Sequence, residues 1–398
     1  MGGPKIMGAR KAFLIAGEPS GDRLGGALMA GLTELAPGIT FEGVGGPQMA
    51  NAGLKSLFPM EELSVMGIAE VLPKYRALKR RIRQTAEAAI ASGADVLIGI
   101  DSPDFCLRVD RLVRAARPDL RIVHYVAPSV WAWRPGRAAK MARHVDHVLA
   151  LLPFEPPYME AAGMRCDFVG HPVVAEPVAS AAEIADFRAR HHLGEAKLIL
   201  ALPGSRRSEV GRLAPIFGAA LGAICAQHKD ARIVIPTLPH LRETLEQETK
   251  GWSGPRPLIL AQGMETLTNF QATKRAAFGA ADLALAASGT VSLELAAAKT
   301  PMVIAYDMSW LSWQIMSRMA RIDTVTLVNL IVGNHAIPEF LGPACKPAPI
   351  AKALGALIDD KAAIAAQHAA MAQTMEALGQ GAEAPGLRAA RAVLDGLA

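Results

Sequence analysis

Short apolar runs alternate with stretches of helical periodicity along most of the chain. In the first half these runs cover 12–16, 95–100, 121–126 and 145–152. Strands that alternate with helices usually pair in parallel through βαβ crossovers. The alternation therefore predicts an α/β protein built on parallel sheets.

A second series of apolar runs follows a break in the pattern near 168–178, where Gly170, Pro172 and Pro177 predict a linker. At 398 residues the chain exceeds what one hydrophobic core usually supports. We therefore expect two Rossmann-like domains and a helical tail. The predicted boundaries are 1–173, 174–348 and 349–398.

The composition indicates a globular protein but does not identify its ligand. Hydrophobic residues make up 51% of the chain and charged residues 20%, which is enough for a large core. The net charge of +5 is compatible with nucleic acid, an anionic membrane or phosphorylated small molecules. The four cysteines lie far apart, which favours a reducing, cytosolic compartment over a disulfide or zinc framework.

Membrane insertion and export are not indicated. The apolar run 12–16 is too short for the core of a signal peptide, and Glu18 interrupts it. We find no uncharged apolar run of about 18 residues. The sequence predicts a soluble or peripheral protein.

Ligands of parallel α/β sheets bind beyond the carboxyl ends of the strands. After the run that ends at Leu202 come Gly204, Ser205 and Arg206. Glycine admits close approach of backbone N–H groups to a phosphate, and arginine can bind two phosphate oxygens. The alternative is a helix start capped by Ser208, with solvated arginines.

A second turn of the same kind contains Ser288, Gly289 and Thr290, followed by Glu294 one helical turn later. Small residues at a helix start can bind another face of a diphosphate, and the carboxylate can accept hydrogen bonds from ribose hydroxyls. Stabilisation of the helix dipole is the alternative role for Glu294.

Asp101 follows the buried-looking run 95–100, where a carboxylate can act as a general base. The first turn of the chain contains Glu18, Ser20, Gly21 and Asp22, which could recognise a sugar or phosphate on an acceptor. Capping of a turn or helix is the alternative for these polar groups.

Two further segments carry side chains suited to lipid or sugar. Trp131 and Trp133 lie in a loop after a predicted strand, where indole rings suit sugar faces, acyl chains and core packing alike. An apolar stretch precedes a basic helix, which suits anionic lipid or a buried helix with a polar face. The candidate membrane or acyl contacts are Val65, Met66, Ile68, Leu72, Lys79, Arg80 and Arg81.

Seven short motifs occur in the same order as in a known family. They are AGEPSGD at 16–22, GVGGPQM at 43–49, GIDSPDF at 99–105, APSVWAW at 127–133, VGHP at 169–172, LPGSR at 202–206 and SGT at 288–290. With these motifs the chain closely resembles lipid-A-disaccharide synthase. The resemblance implies a metal-independent, inverting glycosyltransferase of GT-B architecture, with two domains facing across a cleft.

The resemblance also implies a reaction and a set of residue roles. Diacylglucosamine would pass from its UDP derivative to 2,3-diacylglucosamine 1-phosphate, giving a β-1,6-linked disaccharide and UDP. Asp101 and Arg206 match essential residues, and Asn329 matches a donor-site asparagine. Val328 stands where the family usually has proline. The remaining donor-site matches are Gly204, Ser205, Ser288, Gly289, Thr290 and Glu294, and the acceptor-site candidates are Glu18, Ser20, Gly21, Asp22, Trp131 and Trp133.

The resemblance further implies a cytoplasmic protein on the inner face of the inner membrane, no cofactor, no nucleic-acid partner and a homodimer with exchanged C-terminal helices. Three other readings stay open from the residues: a UDP-sugar epimerase, a transferase with a soluble acceptor, and a non-catalytic peripheral lipid-binding protein.

Overall fold

The computed structural model describes residues 10–63, 68–263 and 267–397, with the backbone alone for 68–75 and 267. The described strands are β1 Lys11–Ala16, β2 Thr40–Val44, β3 Lys55–Ser56, β4 Val96–Ile100, β5 Arg121–Tyr125, β6 His147–Ala150, β7 Arg165–Phe168, β8 Leu198–Leu202, β9 Arg232–Thr237, β10 Leu258–Ala261, β11 Leu283–Ala286, β12 Met302–Tyr306 and β13 Glu339–Leu341. The described helices are α1 Pro19–Leu35, α2 Pro47–Asn51, α3 Ile68–Ala91, α4 Pro103–Ala116, α5 Gly136–Met141, α6 Pro156–Glu160, α7 Ala181–Arg190, α8 Arg207–Gln227, α9 Arg242–Glu248, α10 Leu267–Ala280, α11 Val291–Ala297, α12 Trp310–Met319, α13 Leu327–Val332, α14 Pro347–Asp359, α15 Lys361–Ala377 and α16 Pro385–Asp395.

The chain divides into two compact units. Unit 1 comprises the described residues up to Ala175 and those from Gly381, and unit 2 comprises Glu176–Gln380. The first change of unit falls two residues beyond the predicted boundary at 173. The predicted tail 349–398 is shared: α14 and α15 belong to unit 2, whereas α16 belongs to unit 1.

Unit 1 contains a parallel sheet in the order β3-β2-β1-β4-β5-β6-β7. Side chains of β1 alternate between two cores, with Phe13 and Ile15 in one and Leu14 in the other. Every residue of β4 is buried. A strand covered on both faces reads as a continuous apolar run, which is why these strands were visible in the sequence.

Helix α16 packs on α1 at a close glycine crossing. A Cβ added to Gly386 would lie 2.7 Å from the Ala27 carbonyl oxygen, and one added to Gly31 would lie 2.8 Å from the Gly386 oxygen. Arg388 Nη2 also donates to the Phe168 carbonyl at 2.8 Å. The helix thus completes the core of unit 1, although it follows unit 2 in the chain.

Unit 2 contains a second parallel sheet, ordered β10-β9-β8-β11-β12-β13. Both sheets place the first strand of their unit beside the fourth, which is the Rossmann strand order. Among the described helices, only α8 is long and apolar enough to cross a membrane, and 56% of its apolar window is buried inside the protein, as in a core helix. The predicted α/β class with two parallel sheets is confirmed.

Candidate functional site

The strand register of unit 1 brings two predicted polar turns together. Ala16 at the end of β1 pairs with Ile100 at the end of β4, so the segments that follow begin side by side. Ser20 Oγ donates to Asp101 Oδ2 at 3.4 Å. This is the point where strand order reverses, the usual ligand site of such a sheet.

Asp101 sits on a strained backbone. Asp101 and the following Ser102 have φ angles of 51° and 42°, in the left-handed region that non-glycine residues seldom occupy. Each such residue costs about 1–3 kcal/mol, and such strain concentrates at functional sites. The Asp101 N–H donates to the Tyr125 carbonyl at 2.9 Å. A Cβ on Gly17 would lie 2.8 Å from Ser102 Oγ, so this close approach requires glycine.

The Asp22 carboxylate is engaged with the backbone. Its side chain is buried, and its carboxylate accepts hydrogen bonds from the backbone N–H groups of Gly46, Gln48 and Met49 at 2.8–3.0 Å. Asp22 thus orders the loop at the start of α2, and its contact with the acceptor stays a prediction. Gly21 is also buried, because α1 packs closely on β4, and a Cβ there would lie 3.3 Å from the Ile100 carbonyl.

Glu18 and Ser20 remain at the surface of this turn, half-buried and exposed respectively. The Glu18 carbonyl accepts from the Asp22 N–H at 2.9 Å, which starts α1. Ser20 is joined to Asp101 by the hydrogen bond from its hydroxyl.

Trp131 and Trp133 are both half-buried, and their contacts differ. Trp131 packs edge-to-face on Phe154 at 5.0 Å and donates from Nε1 to Glu155 at 3.2 Å. Trp133 lies under the Arg134 guanidinium, 4.2 Å from its ring centre. Trp131 is therefore fixed by protein contacts, whereas Trp133 carries a cation on one face.

Glu155 was not singled out from the sequence. It is 4% exposed and also accepts from the backbone N–H groups of Leu151 and Leu152. Burial raises the pKa of Glu155 to about 7, and the hydrogen bonds from Leu152, Trp131 and Leu151 oppose the shift. The carboxyl group joins the Trp131 loop to the segment after β6.

Unit 2 repeats the arrangement at its own switch point. Leu202 at the end of β8 pairs with Ala286 at the end of β11, so the Gly204 turn and the Ser288 turn start as neighbours. Gly204 has a φ of 115°, and a Cβ there would lie 2.6 Å from Glu209 Cβ. The strand register therefore places the two predicted phosphate-binding turns next to each other.

Glu209, one turn into α8, organises the first turn of unit 2. Its Oε2 accepts from the backbone N–H groups of Ser205 and Arg206 at 3.0 and 3.2 Å. Its Oε1 accepts from Arg206 Nη1 at 2.7 Å and from the Tyr306 hydroxyl at 3.3 Å. Burial and the Glu209 carboxylate raise the pKa of Tyr306, so its hydroxyl stays protonated.

The side chains of Arg206 and Glu209 differ in solvent exposure. The Arg206 side chain is 57% exposed, while that of Glu209 is 12% exposed. A largely buried carboxylate thus holds one end of a guanidinium whose remaining N–H groups face outward. The sequence reasoning missed Glu209, because an acidic residue in the first turn of a helix is common and Arg206, three residues earlier, is not a usual capping residue.

The Ser288 turn has more free space around its glycine than the Gly204 turn. Gly289 has a φ of 138° with no atom within 4 Å of an added Cβ, and Thr290 is exposed. Ser288 Oγ donates to the Val325 carbonyl at 3.4 Å. Glu294 pairs with Lys274 at 2.5 Å and keeps 36% of its side chain exposed. Its carboxylate has acceptor capacity left for ribose hydroxyls.

Asn329 is buried and hydrogen-bonded within the protein. Its Nδ2 donates to the Ile337 carbonyl at 2.9 Å and to Thr324 Oγ1 at 3.3 Å, and its Oδ1 accepts from the Ile337 N–H at 2.9 Å. Asn329 thus orders the segment next to Val325, whose carbonyl accepts from Ser288, and its contact with the donor stays a prediction. Val328, which replaces the family's usual proline, is completely buried.

The predicted membrane segment is described only in part. Val65 and Met66 lie outside the described residues, and Ile68 and Leu72 belong to α3 by their backbone. Arg81 donates to Glu62 at 2.6 and 2.8 Å and lies 4.3 Å from the Phe58 ring centre, and its contact with lipid stays a prediction. Lys79 and Arg80 are exposed on the same helix.

Candidate metal ligands do not cluster within the described ranges: no three His, Cys, Asp or Glu side chains come together there in a way that could hold an ion. Basic side chains at the unit 2 turns include Arg206, Arg207 and Lys274.

Two parallel α/β units of Rossmann order, each with polar turns at its switch point, define a two-domain protein of the GT-B class. Solved structures with this fold include the UDP-N-acetylglucosamine 2-epimerase of Neisseria meningitidis bound to UDP-GlcNAc, with a TM-score of 0.60, 11% identity and coverage of 98% of this chain and 99% of that one. The S. aureus protein MnaA, solved with UDP, gives a TM-score of 0.64 at 13% identity, over 97% and 95% of the two chains. At such identities the likeness concerns the fold.

Sequence comparison identifies the family. The family model described as lipid-A-disaccharide synthetase matches residues 12–391. The lipid-A-disaccharide synthase of Ruegeria pomeroyi is 62% identical over 387 residues, covering 97% of this chain and 95% of the relative. That of Rhodospirillum centenum is 47% identical over 385 residues, covering 96% and 94%. The chain belongs to the lipid-A-disaccharide synthase family, as its motifs predicted.

Proposed function

We propose that this protein transfers 2,3-diacylglucosamine from its UDP derivative to 2,3-diacylglucosamine 1-phosphate, forming the β-1,6-linked disaccharide 1-phosphate and UDP. The observation that carries the proposal is the 62% identity with a named synthase over 97% of the chain. The placement of the motif residues at both switch points supports it.

On the donor side, unit 2 supplies the groups that stabilise the leaving UDP. The outward N–H groups of Arg206 bind the diphosphate, and the amino end of α8 adds positive potential. Gly204, Ser205, Ser288, Gly289 and Thr290 line the two turns that hold the nucleotide. Glu294 accepts hydrogen bonds from the ribose hydroxyls. Stabilisation of charge that develops on a leaving group is usually a large part of catalysis.

On the acceptor side, unit 1 supplies the base. Asp101 removes the proton from the acceptor's 6-hydroxyl while that oxygen bonds to the anomeric carbon. The bond from that carbon to the diphosphate oxygen breaks in the same step, and its electron pair leaves with UDP. A single displacement inverts the anomeric centre. Ser20 orients the Asp101 carboxylate through its hydroxyl, and Glu18 and Trp133 contact the acceptor sugar.

We propose that the reaction uses no metal ion or cofactor, because Arg206, Lys274 and the helix ends provide the positive charge. The protein acts in the cytoplasm on the inner face of the inner membrane, where acylated substrates reside. Exposed Lys79 and Arg80 on α3 support contact with anionic lipid. In a homodimer that exchanges C-terminal helices, α16 would occupy the same groove on α1 of the other copy.

One assay tests the proposal. Purified protein is incubated with UDP-2,3-diacylglucosamine and the monosaccharide 1-phosphate in detergent micelles containing EDTA, and products are followed by mass spectrometry. We expect disaccharide 1-phosphate and UDP in equal amounts. An epimerised UDP-sugar formed without acceptor, or no product from protein that UDP fails to stabilise thermally, would contradict it.

A further inference from the structure

Helix α12 of unit 2 exposes large apolar side chains. Trp310, Leu311, Ile315 and Met319 are 74%, 63%, 51% and 37% exposed. Leu311, Ile315 and Met319 recur at four-residue spacing and so form one stripe, with Trp310 at its amino end. No residue of α12 is buried.

The helix contacts unit 2 through Trp313. The Trp313 ring packs against the backbone of Gly342, where an added Cβ would lie 2.5 Å from the ring. Ser309 caps the helix by accepting from the Ser312 N–H at 3.2 Å. The exposed stripe therefore lies on the side of the helix away from this contact.

The charge on α12 itself is positive, and the exposed Asp323 beyond Arg321 pairs with His335 at 3.3 Å. Helix α12 contains no acidic residue, and Arg318 at its carboxyl end is exposed, as is Arg321 just beyond it. Arg318 donates to Gln314 within the helix, which keeps its guanidinium beside the apolar stripe. Apolar side chains next to basic ones match a bilayer surface with anionic headgroups.

The helix also starts near the donor turns. It begins four residues after β12, whose last residue, Tyr306, contacts Glu209 at 3.3 Å. Asp307 accepts from Arg212 of α8 at 3.5 Å.

We propose that α12 docks on an anionic lipid bilayer, with Trp310, Leu311, Ile315 and Met319 among the acyl chains and Arg318 and Arg321 at the phosphates. This inference rests on the proposed function, because an acylated donor is delivered to the unit 2 turns from such a surface. It assigns membrane contact to unit 2 in addition to the basic helix of unit 1.

Co-sedimentation with vesicles of phosphatidylethanolamine and phosphatidylglycerol tests this assignment. We expect the double variant L311S/I315S to partition at least tenfold more weakly than the unchanged protein. Replacement of Arg318 and Arg321 by Gln should weaken partition about fivefold per charge at low salt. The effect of replacing Arg318 and Arg321 should vanish with phosphatidylcholine vesicles. Val178→Ser, at a position 60% exposed elsewhere in unit 2, is the matched control and should change nothing.

Unchanged partition of L311S/I315S would overturn the proposal. A smaller oligomer for this variant by analytical ultracentrifugation would also overturn it, in favour of a contact between copies. Activity on substrates dispersed in detergent micelles separates failure of the proposed function from failure of the docking surface. If the unchanged protein is inactive there, the proposed function fails; if it is active and the variants bind vesicles normally, the docking surface fails.

Discussion

Replacing Glu209 by Gln tests whether this carboxylate holds Arg206 in place for the leaving group. Gln retains an oxygen for the Ser205 and Arg206 N–H groups but turns an NH₂ group toward Arg206 Nη1. One hydrogen bond of 2.7 Å between charged groups is therefore lost. Such bonds contribute about 1.5–3 kcal/mol when buried. Because the Arg206 side chain is 57% exposed, we discount this to about 1 kcal/mol.

A loss of about 1 kcal/mol lowers kcat/KM for the UDP-sugar donor about fivefold. The assay is steady-state kinetics in detergent micelles, for four proteins: unchanged, E209Q, R206A and the double variant. R206A alone should lose about 10²–10³ in kcat, as when a group that stabilises developing charge is removed. If Glu209 acts through Arg206, E209Q has no further effect in the R206A background.

Two observations would refute this reasoning. One is an equal fivefold loss from E209Q with and without Arg206, and the other is a fall of several degrees in the Tm of E209Q. Either would show that Glu209 maintains the turn itself. Glu246→Gln is the matched control, because Glu246 forms an exposed ion pair with Arg242 at 3.0 Å in the same unit. It should change neither kinetics nor Tm.

Three further predictions concern unit 1. Asp101→Asn should lower kcat about 10²–10⁴-fold, as expected for loss of a general base, and near-normal turnover would remove Asp101 from that role. Because the pKa of Glu155 is raised from 4.5 to about 7, the folded state binds the proton more tightly and stability falls as pH rises through that window. The Tm of the unchanged protein should therefore drop by several degrees more than that of E155Q between pH 5 and 8; parallel curves would contradict this. Gly386→Leu should destabilise the protein by several kcal/mol through the clash with Ala27, measured by urea unfolding, whereas Gly136→Ala, with no atom within 4 Å of the added Cβ, should not.

Much of the fold could be predicted because buried parallel strands leave apolar runs that need no tertiary information. Both β4 and β8 are entirely buried, and each is followed by the polar turn that the sequence singled out. Asp101 directly follows β4 and Arg206 lies four residues after β8, where the rule that ligands bind beyond strand ends places candidate residues. Local pattern and topology were sufficient for this part.

Other roles could not be read from the sequence because a polar side chain looks the same whether it serves a ligand or the backbone. Asp22 lies in a family motif and Asn329 matches a donor-site asparagine, yet both form hydrogen bonds with the backbone of the protein itself. Glu209 was passed over for the opposite reason, since it reads as an ordinary helix residue. Only the tertiary contacts distinguish these cases.

The docking of α16 on α1 imposes an order on biosynthesis. Residues 176–380 must all leave the ribosome before the segment that completes unit 1 exists. The nascent chain therefore carries an apolar groove on α1 that stays uncovered while the whole of unit 2 is made. Such a groove is a natural target for chaperones and for the same helix of a neighbouring nascent chain. Neighbouring nascent chains on one polysome could therefore exchange this helix during synthesis. Refolding of the finished protein in dilute solution would not reproduce this route.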